Sequence, residues 1–202
     1  MSIKLIAVDM DGTFLSDAKT YNRPRFLAQY QRMREQNIRF VVASGNQYYQ
    51  LISFFPEIAH QIAFVAENGG WGVSGNEDVF NCQLPVHHFN AVVDHLQTLP
   101  NIEIIACGKR SAYTLNRYND ALKTVAAKYY HRLELVDDFN HLDDTILKFG
   151  LNVPDSLIPE IQPKLHAALG DMVTAVATGY GSIDLIIPGV HKANGQIGRA
   201  HV

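Results

Sequence analysis

Three short apolar runs, each breaking off in polar residues, constrain this chain more than any other feature. Ile3–Val8, apolar except for Lys4, runs into Asp9-Met10-Asp11-Gly12-Thr13. Ile38–Ala43 runs into Ser44-Gly45-Asn46, and Ile62–Ala66 into Glu67-Asn68. An apolar run without strict alternation suits a strand buried on both faces of a parallel sheet. The segments between the runs have a helical period. One helix is expected from Pro24 to about Gln36, with Pro24 in its first turn and Phe26, Leu27, Tyr30 and Met33 at helical spacing. A shorter one is expected over Gln47–Phe54. Strand, helix, strand, helix, strand is the signature of a doubly wound α/β sheet.

The pattern changes after Asn68. Gly69, Gly70, Gly72 and Gly75 punctuate an expected hairpin with its tip at Ser74–Asn76. A second unit is expected over residues 84–188. It contains helices over Val86–Leu99 (Phe89, Val92, Val93 and Leu96 on one face), Asp120–Tyr129 and Leu157–Leu169. Its strands are expected at Ile102–Cys107, Ala112–Leu115, Ile146–Val153, Val173–Ala177 and Ile183–Ile187. The mixture lacks regular alternation, so this unit is expected to be α+β. The expected organisation is therefore residues 1–83 as the first part of a core, 84–188 as an insertion, 189–195 as a return to the core, and 196–202 as a tail.

Composition excludes several functions. The chain has 202 residues, 47% hydrophobic and 18% charged, which is enough apolar matter for a sizeable core. The net charge of −3 provides no basic footprint for nucleic acid, so an anionic ligand must be attracted locally. Cys82 and Cys107 are far apart and outside any CxxC pattern, and two buried thiols are expected rather than a zinc site or disulfide. The N-terminus meets charge at Asp9, unlike a signal peptide, and no window reaches the ~18 apolar residues of a membrane span. A cytoplasmic protein is expected.

Ligands of open α/β sheets bind at the carboxyl ends of the strands. Asp9 and Asp11 follow a strand directly, where carboxylates are costly without compensation. A hard cation such as Mg²⁺, which takes one or two carboxylates plus phosphate oxygens, would compensate them. An aspartate can also act as a covalent nucleophile, with a second carboxylate as acid and base. Gly12 allows an immediate turn, and the amides after Asp9 can face a phosphate. A calcium loop fits poorly, because the EF-hand glycine belongs at the sixth position, where Phe14 stands. A merely solvated turn is the plain alternative. Ser44 and Gly45 could hold phosphate, although a serine more often caps a helix. Lys192, in Pro-Gly-Val-His-Lys-Ala-Asn-Gly, could neutralise phosphate or be a solvated surface charge.

Taken together, these segments resemble the haloacid dehalogenase superfamily. Asp9-Met10-Asp11-Gly12-Thr13 is similar to its first motif, Ser44 to its second and Lys192 to its third. An insertion between the second and third motifs marks the type-II cap of the Cof-like hydrolases, in which Glu67-Asn68-Gly69 is also common. The runs Phe40–Pro56 and Asp184–Gly195 look like the enterobacterial sugar-phosphate phosphatase subgroup. Many members carry Arg where this chain has Asn46, so the role of Asn46 stays open.

The resemblance implies a Mg²⁺-dependent sugar-phosphate phosphatase acting on small molecules. Asp9 would attack phosphorus and Asp11 would serve as general acid, then base. The Asp9 carboxylate and the Asp11 carbonyl would bind Mg²⁺. Ser44 and the Gly45 amide would hold phosphate oxygens, and Lys192 would stabilise their charge. The cap would exclude water and read the sugar, with Gly179–Asp184 as a candidate loop.

The family's fourth motif, Gly-Asp-x-x-x-Asp or Gly-Asp-x-x-Asn-Asp, is expected after Lys192, but only ten residues follow. Gln196–Val202 reads QIGRAHV, which one choice of codons makes identical to a sequencing adapter. The expectation is a C-terminally truncated sequence with a non-native tail, and a genuine frameshift or an odd but real terminus is the plain alternative. The Asp9 strand would then lie at a sheet edge, metal binding would be weak, turnover low and aggregation favoured. A phosphosugar mutase, a receiver-type phosphoacceptor domain and an inactive phosphate-binding fragment are the rival readings.

Overall fold

The computed structural model describes residues 3–179 and 181–193. The chain divides into two compact units, residues 1–81 with 191–202 and residues 82–190. The predicted return to the core is described as far as Ala193. The predicted tail at 196–202 lies outside the described residues.

The first unit is built on strands β1 (Leu5–Val8), β2 (Arg39–Ala43), β3 (Ala63–Ala66), β4 (Trp71–Ser74) and β5 (Glu77–Asn81), paired in that order. β1, β2 and β3 are parallel, and the β4–β5 hairpin extends the sheet antiparallel to β3. The hairpin turns through Gly75 and Asn76, both at positive φ. Helices α1 (Arg23–Glu35) and α2 (Tyr48–Ser53) supply the crossovers. α1 starts where Asn22 accepts a 3.0 Å bond from the Arg25 amide and Pro24 occupies the first turn.

β2 and β3 are apolar because both faces are covered. Val41, Ala43, Ala63 and Val65 form one buried cluster. The rings of Phe14, Tyr21, Phe26, Phe40 and Phe55 form an aromatic cluster with centroids 4.9–6.2 Å apart. β1 carried two expectations, burial on both faces from its composition and an edge position from the absence of a fourth motif. It pairs with β2 alone among the described residues, stands at the sheet edge, and leaves Ala7 exposed.

The second unit is a six-stranded sheet in the order β10-β11-β9-β6-β7-β8. Its strands are β6 (Glu103–Gly108), β7 (Ala112–Leu115), β8 (Leu133–Val136), β9 (Ile146–Asn152), β10 (Thr174–Gly179) and β11 (Ser182–Ile186). All pairings are antiparallel except β7 with β8. Ile104 and Ala106 join the main core with Phe89, Val92 and Leu96 of α3 (Val86–Gln97) and Leu165 and Leu169 of α5 (Ile158–Leu169). The alternate residues, Ile105 and Cys107, face Leu122 and Ala126 of α4 (Asp120–Tyr129). Register places Lys148 and Asp184 on this second face, where they form a buried 3.0 Å ion pair.

Cys107 is buried but Cys82 is only half-buried, and both are free thiols. Burial pushes the Cys82 thiol pKa up. Among the described residues no helix is long and apolar enough to cross a membrane.

Candidate active site

Asp9 ends β1 in an extended conformation (φ −82°, ψ 156°). The chain then turns, with Gly12 at φ +69°, and the amides of Phe14 and Leu15 close back onto the carbonyls of Asp9 and Met10 at 3.1 and 2.9 Å. Met10 is fully buried, whereas Asp9 is partly exposed and Asp11 exposed. The turn is therefore anchored through Met10 and through Phe14, which meets four aromatic rings. The two carboxylates sit on this anchored turn with their side chains partly open to solvent.

Each carboxylate meets an amine. Lys192 Nζ donates to Asp9 Oδ1 at 2.6 Å, across 183 residues of sequence. Lys19 Nζ donates to Asp11 Oδ1 at 2.6 Å. The Asn46 side-chain amide donates to the other Asp11 oxygen, Oδ2, at 2.9 Å. The side chains of both ion pairs are 39–51% exposed. Exposed pairs contribute only about 0–1 kcal/mol to stability. Holding a non-glycine residue at left-handed φ costs about 1–3 kcal/mol, and Lys19 has φ +55°.

Ser44, at the end of β2, is buried and held by backbone bonds. Its amide donates to the Val65 carbonyl at 2.9 Å, and its carbonyl accepts from the Asn68 amide at 3.2 Å. Its hydroxyl oxygen accepts from the Asn46 amide at 3.2 Å. Gly45 passes so close to Asn68 that a Cβ there would lie 2.6 Å from the amide oxygen of that side chain. Glu67, Asn68 and Gly69 all have positive φ, which carries the end of β3 through a sharp turn. Gly69, at φ +102°, lies against the backbone of His191 and Lys192.

Of the residues singled out in the sequence, Asp9 and Lys192 are therefore in contact. Asp11 and Ser44 are connected through Asn46. Sequence reasoning missed Lys19, which is eight residues from Asp11 in an irregular segment with no periodic signal. It left Asn46 without a role, and it did not anticipate that Gly69 packs against the lysine segment.

No cluster of three or more His, Cys, Asp or Glu side chains poised for a metal exists among the described residues. The oxygens that Asp9 and Asp11 offer, a carboxylate and a backbone carbonyl two residues on, are hard donors of the kind Mg²⁺ takes, its shell being completed by water and substrate phosphate.

Comparison with known proteins fixes the class. Residues 6–197 match the haloacid dehalogenase-like hydrolase family, and the chain belongs to it. It is an enzyme of the phosphatase type within that superfamily. The 5-amino-6-(5-phospho-D-ribitylamino)uracil phosphatase YbjI of Escherichia coli (strain K12) is 71% identical over 195 residues, covering 96% of this chain and 72% of that protein. The crystal structure of a Streptococcus mutans UA159 protein superimposes with a TM-score of 0.91 at 30% identity, over 98% of this chain and 75% of that one. A haloacid dehalogenase subclass IIB sugar phosphatase shares the fold with a TM-score of 0.78 at 13% identity, over 98% of this chain and 76% of that one.

Proposed function

We propose that this chain hydrolyses phosphomonoesters of sugars or sugar alcohols through an aspartyl-phosphate on Asp9. The observation that carries the reading is the Asp9–Lys192 contact at 2.6 Å, with a second carboxylate, Asp11, two residues further on. In the first half-reaction an Asp9 carboxylate oxygen attacks phosphorus and the bond to the ester oxygen breaks. Asp11 gives a proton to that departing oxygen. In the second, Asp11 takes a proton from water as the water attacks the phosphorus. The phosphorus–Asp9 bond breaks, and inorganic phosphate and free Asp9 result. The Lys192 ammonium balances the charge on the phosphoryl oxygens, and the Ser44 hydroxyl and Gly45 amide donate to them. The Asp9 carboxylate and the Asp11 carbonyl would hold Mg²⁺, which when bound supplies further charge neutralisation at the phosphoryl group.

The substrate class draws support from the name of the Escherichia coli relative, whose substrate carries its phosphate on a ribityl chain. Such a phosphate is an alkyl phosphomonoester on a polyol. The enzyme would act on small molecules in the cytoplasm, with neither nucleic acid nor membrane as a partner.

The test is phosphate release from ribitol 5-phosphate and from aldose phosphates, with Mg²⁺ present and after its removal by chelation. Borohydride reduction of the reacting enzyme, which converts an aspartyl-phosphate to homoserine, identifies the attacking residue by peptide mass. Homoserine at position 9, and loss of both signals in Asp9→Asn, is expected. Unchanged hydrolysis by Asp9→Asn would sink the reading.

A further inference from the structure

We propose that Lys19 is a positioning residue that fixes the carboxylate of Asp11 for proton transfer. The proposal rests on Asp11 acting as acid and base as set out above. Three observations lead to it.

First, the Asp11 carboxylate is held at both oxygens by donors from separate parts of the unit. Lys19 Nζ lies 2.6 Å from Oδ1, and the Asn46 side-chain amide lies 2.9 Å from Oδ2. A carboxylate pinned at one oxygen can still swing about its Cα–Cβ and Cβ–Cγ bonds, whereas one pinned at both has a defined plane. Each oxygen keeps a lone pair for the reaction, since a carboxylate offers about four acceptor sites.

Second, the backbone around Lys19 is constrained to deliver the side chain. The Lys19 amide donates to the Ser16 carbonyl at 2.8 Å, and the Ser16 amide donates to the Thr20 carbonyl at 2.9 Å. The Ser16 hydroxyl donates to the same carbonyl at 3.0 Å. This small closed loop keeps Lys19 at φ +55°, a region that lysine rarely adopts. Strain of this kind persists where the surroundings impose it, and it clusters at functional sites.

Third, the contact joins two exposed side chains, and such a pair adds little to the stability of the fold. Its consequence is orientation. A general acid must lie within hydrogen-bond reach of the departing oxygen, and a misplacement of about 1 Å can cost about 100-fold in rate. Lys192 serves Asp9, and Lys19 is the equivalent support for Asp11.

The experiment compares Lys19→Met with the parent chain on two phosphate esters. Ribitol 5-phosphate has an alkoxide leaving group that needs a proton. p-Nitrophenyl phosphate has a leaving group that departs without one. The quotient kcat/KM covers events up to the first P–O cleavage, so it isolates the step in which Asp11 donates. Lys19→Met is expected to lower kcat/KM about 30- to 100-fold for the ribityl ester but less than about 5-fold for the aryl ester. Equal losses on both esters would show that Lys19 serves phosphate binding or general folding, and would overturn the proposal.

A second readout needs no turnover. The three-bond couplings of the Asp11 side chain, assigned with Asp11→Asn, report its χ1 population. A single rotamer is expected in the parent chain and averaged rotamers in Lys19→Met. Averaged couplings in both, or a single rotamer in both, would overturn the proposal. If neither ester is hydrolysed, or Asp9→Asn is unaffected, the phosphatase reading fails, and the couplings alone then decide whether Lys19 fixes Asp11.

Discussion

Gly69→Ala tests how the turn after β3 governs Lys192, the lysine proposed to bind phosphate. Gly69 has φ +102°, and a Cβ placed there would lie 2.5 Å from the His191 carbonyl carbon and 3.0 Å from the Lys192 nitrogen. Both are backbone atoms, so no rotamer change relieves the collision. Ordinary van der Waals contact requires the His191–Lys192 backbone to retreat by about 1 Å. The left-handed backbone adds about 1–3 kcal/mol of strain of its own. Lys192 Nζ is now 2.6 Å from Asp9 Oδ1. Displacing its Cα by about 1 Å lengthens that contact or forces the stem into a poorer rotamer, and a loss of about 10- to 100-fold in kcat is expected. The assay is steady-state phosphate release alongside a thermal melt, with Gly75→Ala as the control. Gly75 has φ +56° at the β4–β5 turn, and a Cβ there would approach only the His60 carbonyl, at 3.3 Å. The control therefore incurs a backbone penalty without touching the lysine segment. Gly75→Ala is expected to melt lower but keep kcat, and Gly69→Ala to lose both. A Gly69→Ala enzyme with kcat within about 3-fold of the parent would refute the claim that this turn sets the position of Lys192.

Two further predictions concern the second unit. Lys148→Met removes the 3.0 Å ion-pair partner of the buried Asp184 carboxylate, and should cost about 3–5 kcal/mol in a denaturant titration. Lys148→Met with Asp184→Leu should recover most of that loss, and failure to recover would mean that the pair does more than neutralise itself. Tyr113 donates to Asp144 at 3.0 Å, and burial first, then the Asp144 carboxylate, push its pKa up to about 12. A folded-state pKa above the unfolded value near 10 means that the folded protein holds the proton longer. Stability should therefore be complete below pH 10 and fall between pH 10 and about 12, by at most about 2–3 kcal/mol for this group. Tyr113→Phe should flatten that part of the melting profile, and an unchanged slope would assign it to other tyrosines.

Much of the fold could be read from the order of residues because the elements carry local signals. The α1 helix was expected from Pro24 to about Gln36 and runs Arg23–Glu35, since Asn22 and Pro24 mark its start. The α4 helix falls at Asp120–Tyr129 as expected, capped by the Asn119 side chain on the Leu122 amide. β8 was missed. Leu133–Val136 is a four-residue strand, its partner β7 is parallel and its neighbouring residues are charged. Four residues give too short a run to set its period apart from the charged residues around it, and its stability comes from a pairing that forms only in the folded sheet. The same reasoning explains β1. Its composition suits two covered faces, but whether a strand is central or at an edge depends on which strands pair with it.

The candidate site was legible to a different degree, and the reason is chemical. Asp9, Asp11 and Ser44 stand at strand ends, where topology concentrates ligands, so the apolar runs before them point to them. The supporting residues have no such marker. Lys19 reaches Asp11 because a hydrogen-bonded loop over Ser16–Thr20 imposes an uncommon backbone angle, and the residue type at that position does not announce it. Asn46 reaches the same carboxylate from the opposite oxygen because the loop after β2 is tied to the turn after β3, through Asn68 to Ser44 and Glu67 to Asn46 at 3.2 Å each. The Lys192 backbone packs against Gly69 in turn, a glycine read in the sequence as part of a hairpin and of a segment common in the Cof-like group. The groups proposed to touch phosphate are thus marked by their place on the sheet, whereas the groups that contact them are set by contacts between distant turns. A substitution in that supporting layer should alter rate or leaving-group dependence before it alters the fold.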